Sequence, residues 1–141
     1  MKKKTHKLNF KLDFNYDVIG ISSHENDYRL CWAINKNTKL NLSKDDDLII
    51  NIKNTELVQK FSVYSFIDEE NELKYELIAC VSESGFLFKK LKNIDYILKI
   101  SGEIDSYLLN QLIVRLNKID IVIASYSVNN LSKNELKKLV F

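Results

Sequence analysis

Side chains that do chemistry in enzymes crowd into one short span, ISSHENDYRLCWAINKNT at residues 21–38: Ser22 and Ser23, His24, Glu25, Asp27, Arg29 and Cys31, beside the chain's only tryptophan, Trp32. A Cys–His pair would be the first candidate, because an imidazole within hydrogen-bond reach of a thiol generates a thiolate nucleophile. The spacing argues against it: on one helix His24 and Cys31 stand about two turns, roughly 10 Å, apart and cannot share a proton. The other histidine, His6, has no triad-like partner. The run Asp45-Asp46-Asp47 lacks the alternating ligands, the glycine turn and the distal Glu of a calcium loop, and reads as solvated acids. Gly20, Gly85 and Gly102 are scattered singly, which excludes a glycine-rich phosphate loop and leaves little ground for nucleotide hydrolysis. Cys31 and Cys80 have no metal-ligand spacing and fall in apolar stretches. They are expected as free, buried thiols rather than a disulfide. No catalytic, cofactor-binding or metal-ligating residue is predicted.

Each reactive-looking group in the span has a structural role instead. Ser22 and Glu25 match the S-x-x-E capping box, in which the hydroxyl accepts a backbone N–H and the carboxylate reaches back to the cap. Asp27 favours the positive end of the helix dipole, and Glu25 with Arg29 is an i,i+4 pair worth a few tenths of a kcal/mol. At 100° per residue Glu25, Arg29, Ala33 and Lys36 form one solvated stripe, while Tyr28, Leu30, Cys31, Trp32 and Ile34 cover the rest. Trp32 is therefore expected in the core. On that expectation Trp32→Ala costs about 3–5 kcal/mol and Arg29→Ala under about 1 kcal/mol.

The elements around this helix follow from periodicity. From Lys7 to Val18 apolar and polar residues alternate as in a half-buried strand, and Ile19-Gly20-Ile21 breaks the pattern, predicting a bulge or bend. Strands are expected over Leu48 to Ile52, Phe61 to Ile67, Tyr75 to Val81 and Ile94 to Ser101, with a hairpin turn at Asp68-Glu69-Glu70-Asn71-Glu72. After Gly102 an amphipathic helix places Leu108, Leu109, Leu112, Ile113, Leu116 and Ile119 on one apolar arc. Ile121 to Val128 returns to strand, and Ser132 with Glu135 offers a second capping box for a short terminal helix or packed tail. The order β-α-β-β-β-β-α-β, without repeats or a Pro/Gly linker, predicts one α+β domain over residues 1–141, a mainly antiparallel sheet with two main helices on one face.

Composition bounds the function classes. At 141 residues and 45% hydrophobic content the chain is sized for one core. No apolar run reaches the roughly 20 residues of a spanning helix, and the Lys2-Lys3-Lys4 start leads into alternation rather than an apolar signal block. A cytoplasmic protein is expected. The net charge of +2, carried almost wholly by lysine with only Arg29 and Arg115 as arginines, is weak ground for nucleic-acid readout.

The stretches DVIGISSHENDYRLCWAIN, FKKLKNIDYILKI and IVIASYSVNNLSKNELKKLVF, in this order over nearly the whole chain, resemble the small bacterial proteins of the IPExxxVDY family, which has no assigned activity. The naming motif would fall on Phe88, Lys89 and Lys90, then three residues, then Ile94, Asp95 and Tyr96. Only its second half matches, because Lys89 and Lys90 stand where the pattern has Pro and Glu. With no catalytic constellation, the expected function is a non-catalytic protein-binding or assembly module, with a homodimer among its forms, whose partner contacts fall among Arg29, Lys89, Lys90, Lys92, Asp95 and Tyr96. Apolar residues on both faces of two predicted strands, Phe66 and Ile97 among them, suggest a sheet face covered by a partner or by the terminal tail. The alternative is an RNA-binding accessory protein using the Lys89, Lys90 and Lys92 loop with the strand aromatics Tyr64, Phe66, Tyr75, Tyr96 and Tyr126. No cofactor, membrane or small-molecule substrate is expected.

Overall fold

The computed structural model describes residues 16–83, 85–88, 91 and 93–141. The first part of the alternating run, residues 7–15, and His6 lie outside the described residues, as do Lys89, Lys90 and Lys92. The elements run β1 (Tyr16–Ser22), α1 (Asp27–Asn37), β2 (Ser43–Lys44), β3 (Leu48–Asn51), β4 (Val58–Phe61), β5 (Val63–Asp68), β6 (Leu73–Ala79), β7 (Val81–Ser82), β8 (Gly85–Phe86), β9 (Tyr96–Ser101), α2 (Ser106–Asn117), β10 (Ala124–Ser127) and α3 (Lys133–Lys137). Six strands form one antiparallel sheet in the order β10-β1-β9-β6-β5-β2, and β3–β4 and β7–β8 are separate hairpins. This is the α+β architecture that the pattern predicts.

Alternation along the central strands feeds two cores. Ile19 and Ile21 of β1, Tyr75 and Leu77 of β6, and Leu98 and Ile100 of β9 meet Leu30 and Ile34 of α1 and Leu112 and Leu116 of α2. Their neighbours Val18, Ile78 and Ile97 point the other way, to Leu48, Phe61, Leu87, Phe88 and Leu139. The two main helices thus share one face. The opposite face is roofed by the chain itself, through the β3–β4 hairpin, the segment around Leu87 and Phe88, and the tail after α3. Ile97 is fully buried there, and Phe66 packs against the helix-side core, so neither marks a sheet face left for a partner. Leu108, expected on the apolar arc of α2, is instead exposed.

The tail is fastened at several points. The Tyr16 hydroxyl donates to the Leu136 carbonyl at 2.6 Å, and Lys138 Nζ donates to the Leu87 carbonyl at 2.9 Å. Lys99, on the same sheet face, donates to the Leu139 carbonyl. Lys99 is buried and lies directly across from Glu76, with Nζ 3.4 Å from its carboxylate and 4.6 Å from the Phe141 ring centre. Burial pulls the Lys99 ammonium below its ordinary pKa, and Glu76 opposes that shift.

Two local expectations are overturned. The chain does not bend at Gly20, because β1 continues to Ser22 with Gly20 paired to both Ile97 and Tyr126. Glycine is needed there for room: a Cβ would meet Tyr126 and Val128 side-chain atoms at 2.9 Å and Ile94 at 3.0 Å. Nor does Ser22 cap the first helix, since its hydroxyl donates to the Asn93 carbonyl at the end of the strand. The cap is Asn26, whose side chain accepts from Arg29 N–H at 2.9 Å.

Candidate functional site: a basic groove beside Trp32

A third correction concerns the helix orientation. Trp32 is 57% exposed and Tyr28 is 71% exposed, whereas Leu30, Cys31, Ala33 and Ile34 are buried. At 100° per residue Leu30 and Ile34 define the inward direction and Cys31 and Ala33 flank it, which sends Trp32 to nearly the opposite side. Ala33, expected in solvent, is on the core side because a small residue lets the helix approach the sheet.

The outward residues border a groove of about 430 Å³ between α1 and the turn joining α2 to β10. Arg29, Trp32, Lys36 and Asn37 form one wall, and Lys118 and Asp120 belong to the other. Lys36 Nζ sits 4.8 Å from the Trp32 ring centre, within cation–π range. Arg29 Nε contacts the Glu25 carboxylate at 3.2 Å in an exposed pair of the i,i+4 kind expected. The Asn37 amide nitrogen donates to the Ala33 carbonyl at 2.8 Å, leaving its oxygen as an acceptor. Among the described residues Lys36 and Lys118 have no ion-pair partner.

Both walls are held by a network built from the span that opened the sequence. Ser23 is buried; its N–H donates to the Asp95 carboxylate at 2.9 Å and its hydroxyl to the Ile121 carbonyl at 2.7 Å. Tyr96, also buried, donates its hydroxyl to the Glu25 carbonyl at 2.6 Å. Asp95 and Tyr96 therefore fix the loop that starts α1, while Ser23 ties that loop to the turn forming the other wall. Of the predicted contact residues, the structure brings Arg29 to the groove, places Asp95 and Tyr96 behind it as supports, and describes none of Lys89, Lys90 and Lys92. Trp32, Lys36, Asn37, Lys118 and Asp120 were not anticipated. The signal for two of them, Trp32 and Lys36, was the i,i+4 series Tyr28, Trp32, Lys36, which follows one helix face.

Two asparagines add rigidity from the far ends of the helices. Asn35 both donates to the Leu42 carbonyl at 2.9 Å and accepts from Leu42 N–H at 2.8 Å. Asn117 makes the same pair of bonds to Ser125, at 3.2 and 2.8 Å, on edge strand β10. Each amide stands in for a neighbouring strand and locks a helix to the segment that follows it.

Cys31 is buried near the Leu42 carbonyl, and burial followed by the nearby Asp27 raises its pKa, so the thiolate is disfavoured. Cys80 is buried as well, and burial raises its pKa further. His24 is exposed, away from the buried Cys31 side chain. Asp45 accepts from Ser65 Oγ at 2.8 Å and Asp47 pairs with Lys44 at 2.8 Å, which gives two of the three members of the acidic run local partners. The strand aromatics do not form an open stacking platform. Tyr75 and Tyr96 are buried and Tyr64 and Phe66 pack against the helix-side core, leaving Tyr126 exposed on the edge.

Fold and groove together describe an α+β domain with a preformed, aromatic and basic surface cleft. No family model, curated protein or solved structure matches the chain. Among the described residues no helix is long and apolar enough to cross a membrane.

Proposed function

We propose that this chain is a non-catalytic protein-binding module of the cytoplasm, and that it belongs with the IPExxxVDY proteins its sequence resembles. The observation that carries the binding function is the exposure of Trp32 beside Tyr28 on a helix clamped at both ends. Exposed Trp and Tyr with neighbouring Arg are the residues that dominate binding energy at protein interfaces, and exposing them costs solubility unless something covers them. Support for a non-catalytic role comes from the buried, protonated state favoured for Cys31 and from the commitment of Asp95 to a backbone N–H.

Homodimerisation through an uncovered sheet face has lost its motive, because the second face is roofed by the chain's own hairpins and tail. RNA stacking on the strands has less support than protein binding, given the burial of Tyr75 and Tyr96. The test is affinity capture from the native cytoplasm with the wild-type chain and with Tyr28→Ala/Trp32→Ala. A protein recovered by the wild type and lost with the double variant is the expected result. Capture that is indifferent to both rings would place the binding surface elsewhere and overturn the proposal.

A further inference from the structure

We infer that the groove beside Trp32 takes an acidic segment of another protein, lying extended with carboxylates toward Lys36 and Lys118 and an apolar side chain on the indole. This rests on the protein-binding function proposed above and adds the chemistry of the partner. Charge complementarity is the first ground: Arg29, Lys36 and Lys118 face one carboxylate, Asp120, in the groove, and Arg29 is the one of the three cations already paired. Lys36 held over the indole presents its charge at the ring, where a carboxylate can pair with it while the neighbouring side chain covers the exposed edge.

The second ground is mixed hydrogen-bond polarity. Asp120 and the free oxygen of Asn37 are acceptors set among cationic donors. A peptide backbone supplies both N–H and C=O groups along its length. A phosphodiester backbone supplies acceptors alone and would be repelled by Asp120 and Glu25. Lys36 also stands over one face of the ring that base stacking would use. The third ground is preorganisation: the Ser23 hydroxyl bond to Ile121 joins the two walls before any partner arrives, which lowers the ordering cost of binding.

Trp32 is the sole tryptophan, so its emission reports this groove alone. The probes are a synthetic peptide alternating glutamate and leucine, the matching lysine–leucine peptide, and oligouridylate, each titrated against the full chain while the emission is followed. The expected result is a shift with the glutamate peptide that weakens at higher salt and loses about tenfold or more in affinity in Lys36→Glu/Lys118→Glu. An unchanged urea midpoint in that variant shows that the fold is intact. No binding of the glutamate peptide, equal binding of the lysine peptide, tighter binding of oligouridylate, or indifference to the charge reversals overturns the inference. So does a salt-sensitive dimer in which the occupant is the exposed acidic hairpin tip around Glu69 and Glu70 of a second copy, read as a mass that returns to monomer in Glu69→Lys/Glu70→Lys. A captured protein that depends on Tyr28 and Trp32 but ignores the charge reversals would overturn the acidic partner alone and leave the binding module standing.

Discussion

At the scale of single residues, Trp32 decides how the molecule is understood. A tryptophan in an amphipathic helix is expected inside, because the indole offers the largest apolar area to bury. Here Leu30 and Ile34 already fill the inward direction at no exposure, and the helix cannot present both sides to one sheet. The stability consequence is opposite to the one the sequence suggested. Trp32→Ala is expected to change unfolding free energy by under about 1 kcal/mol, while Leu30→Ala costs about 2–5 kcal/mol, both read from urea melts. A large loss for Trp32→Ala would return the indole to the core and remove the exposed surface on which binding rests. Asp95 and Tyr96 illustrate the converse. They were expected as partner contacts, and in the structure they support the loop before α1.

At the scale of elements, local signals were reliable where no distant group competes for their partners. The Ser132–Glu135 capping box forms as expected, with Glu135 N–H donating to Ser132 Oγ at 3.2 Å and Ser132 N–H to the Glu135 carboxylate at 3.0 Å. The acidic turn between β5 and β6 closes a hairpin whose last pair is Asp68 with Leu73. The matching motif at Ser22 fails because distant groups compete for it: strand pairing claims Ser22, and Asp95 and Ile121 claim Ser23. The Asn35 and Asn117 grips were invisible for the same reason, since nothing in the sequence marks an asparagine as bonding a backbone segment beyond its own helix. Asn35→Ala strands the N–H of buried Leu42 and leaves its C=O only the weak Cys31 thiol donor, and is expected to cost about 1–3 kcal/mol. Asn37→Ala, on the exposed side, is expected to stay within about 0.5 kcal/mol. Equal urea midpoints for the two variants would show that the Leu42 groups find other partners.

At the scale of the whole molecule, one half-buried and one buried tyrosine tie remote segments together and make stability sensitive to alkali. Tyr16 joins β1 to α3 and Tyr96 joins β9 to the loop before α1. Burial pushes the Tyr16 hydroxyl up to about 12 and raises that of Tyr96, with the carboxylates of Asp27 and Asp95 adding to the latter. A phenol ordinarily ionises near 10. Because the folded-state pKa is raised, the unfolded chain loses its proton first; the stabilisation is present in full below about pH 10 and is lost as pH rises from there toward the raised values. Urea midpoints measured across that window should fall less steeply for Tyr16→Phe/Tyr96→Phe than for the wild type. Parallel slopes would mean that these phenols are not the groups that ionise on unfolding.

The sequence by itself determined the layers: alternation set which residues of β6 and β9 face apart, and helical periodicity with few glycines and no proline set two main helices, one after β1 and one after β9. Those choices depend on neighbours a few residues away, which a linear pattern records. Only the tertiary structure decided which side of α1 meets the sheet, what roofs the second face, and that Arg29, Trp32 and Lys36 lie across a groove from Lys118 and Asp120. Those outcomes follow from competition for burial and for hydrogen bonds between segments far apart in the chain, and periodicity within one segment carries no term for it.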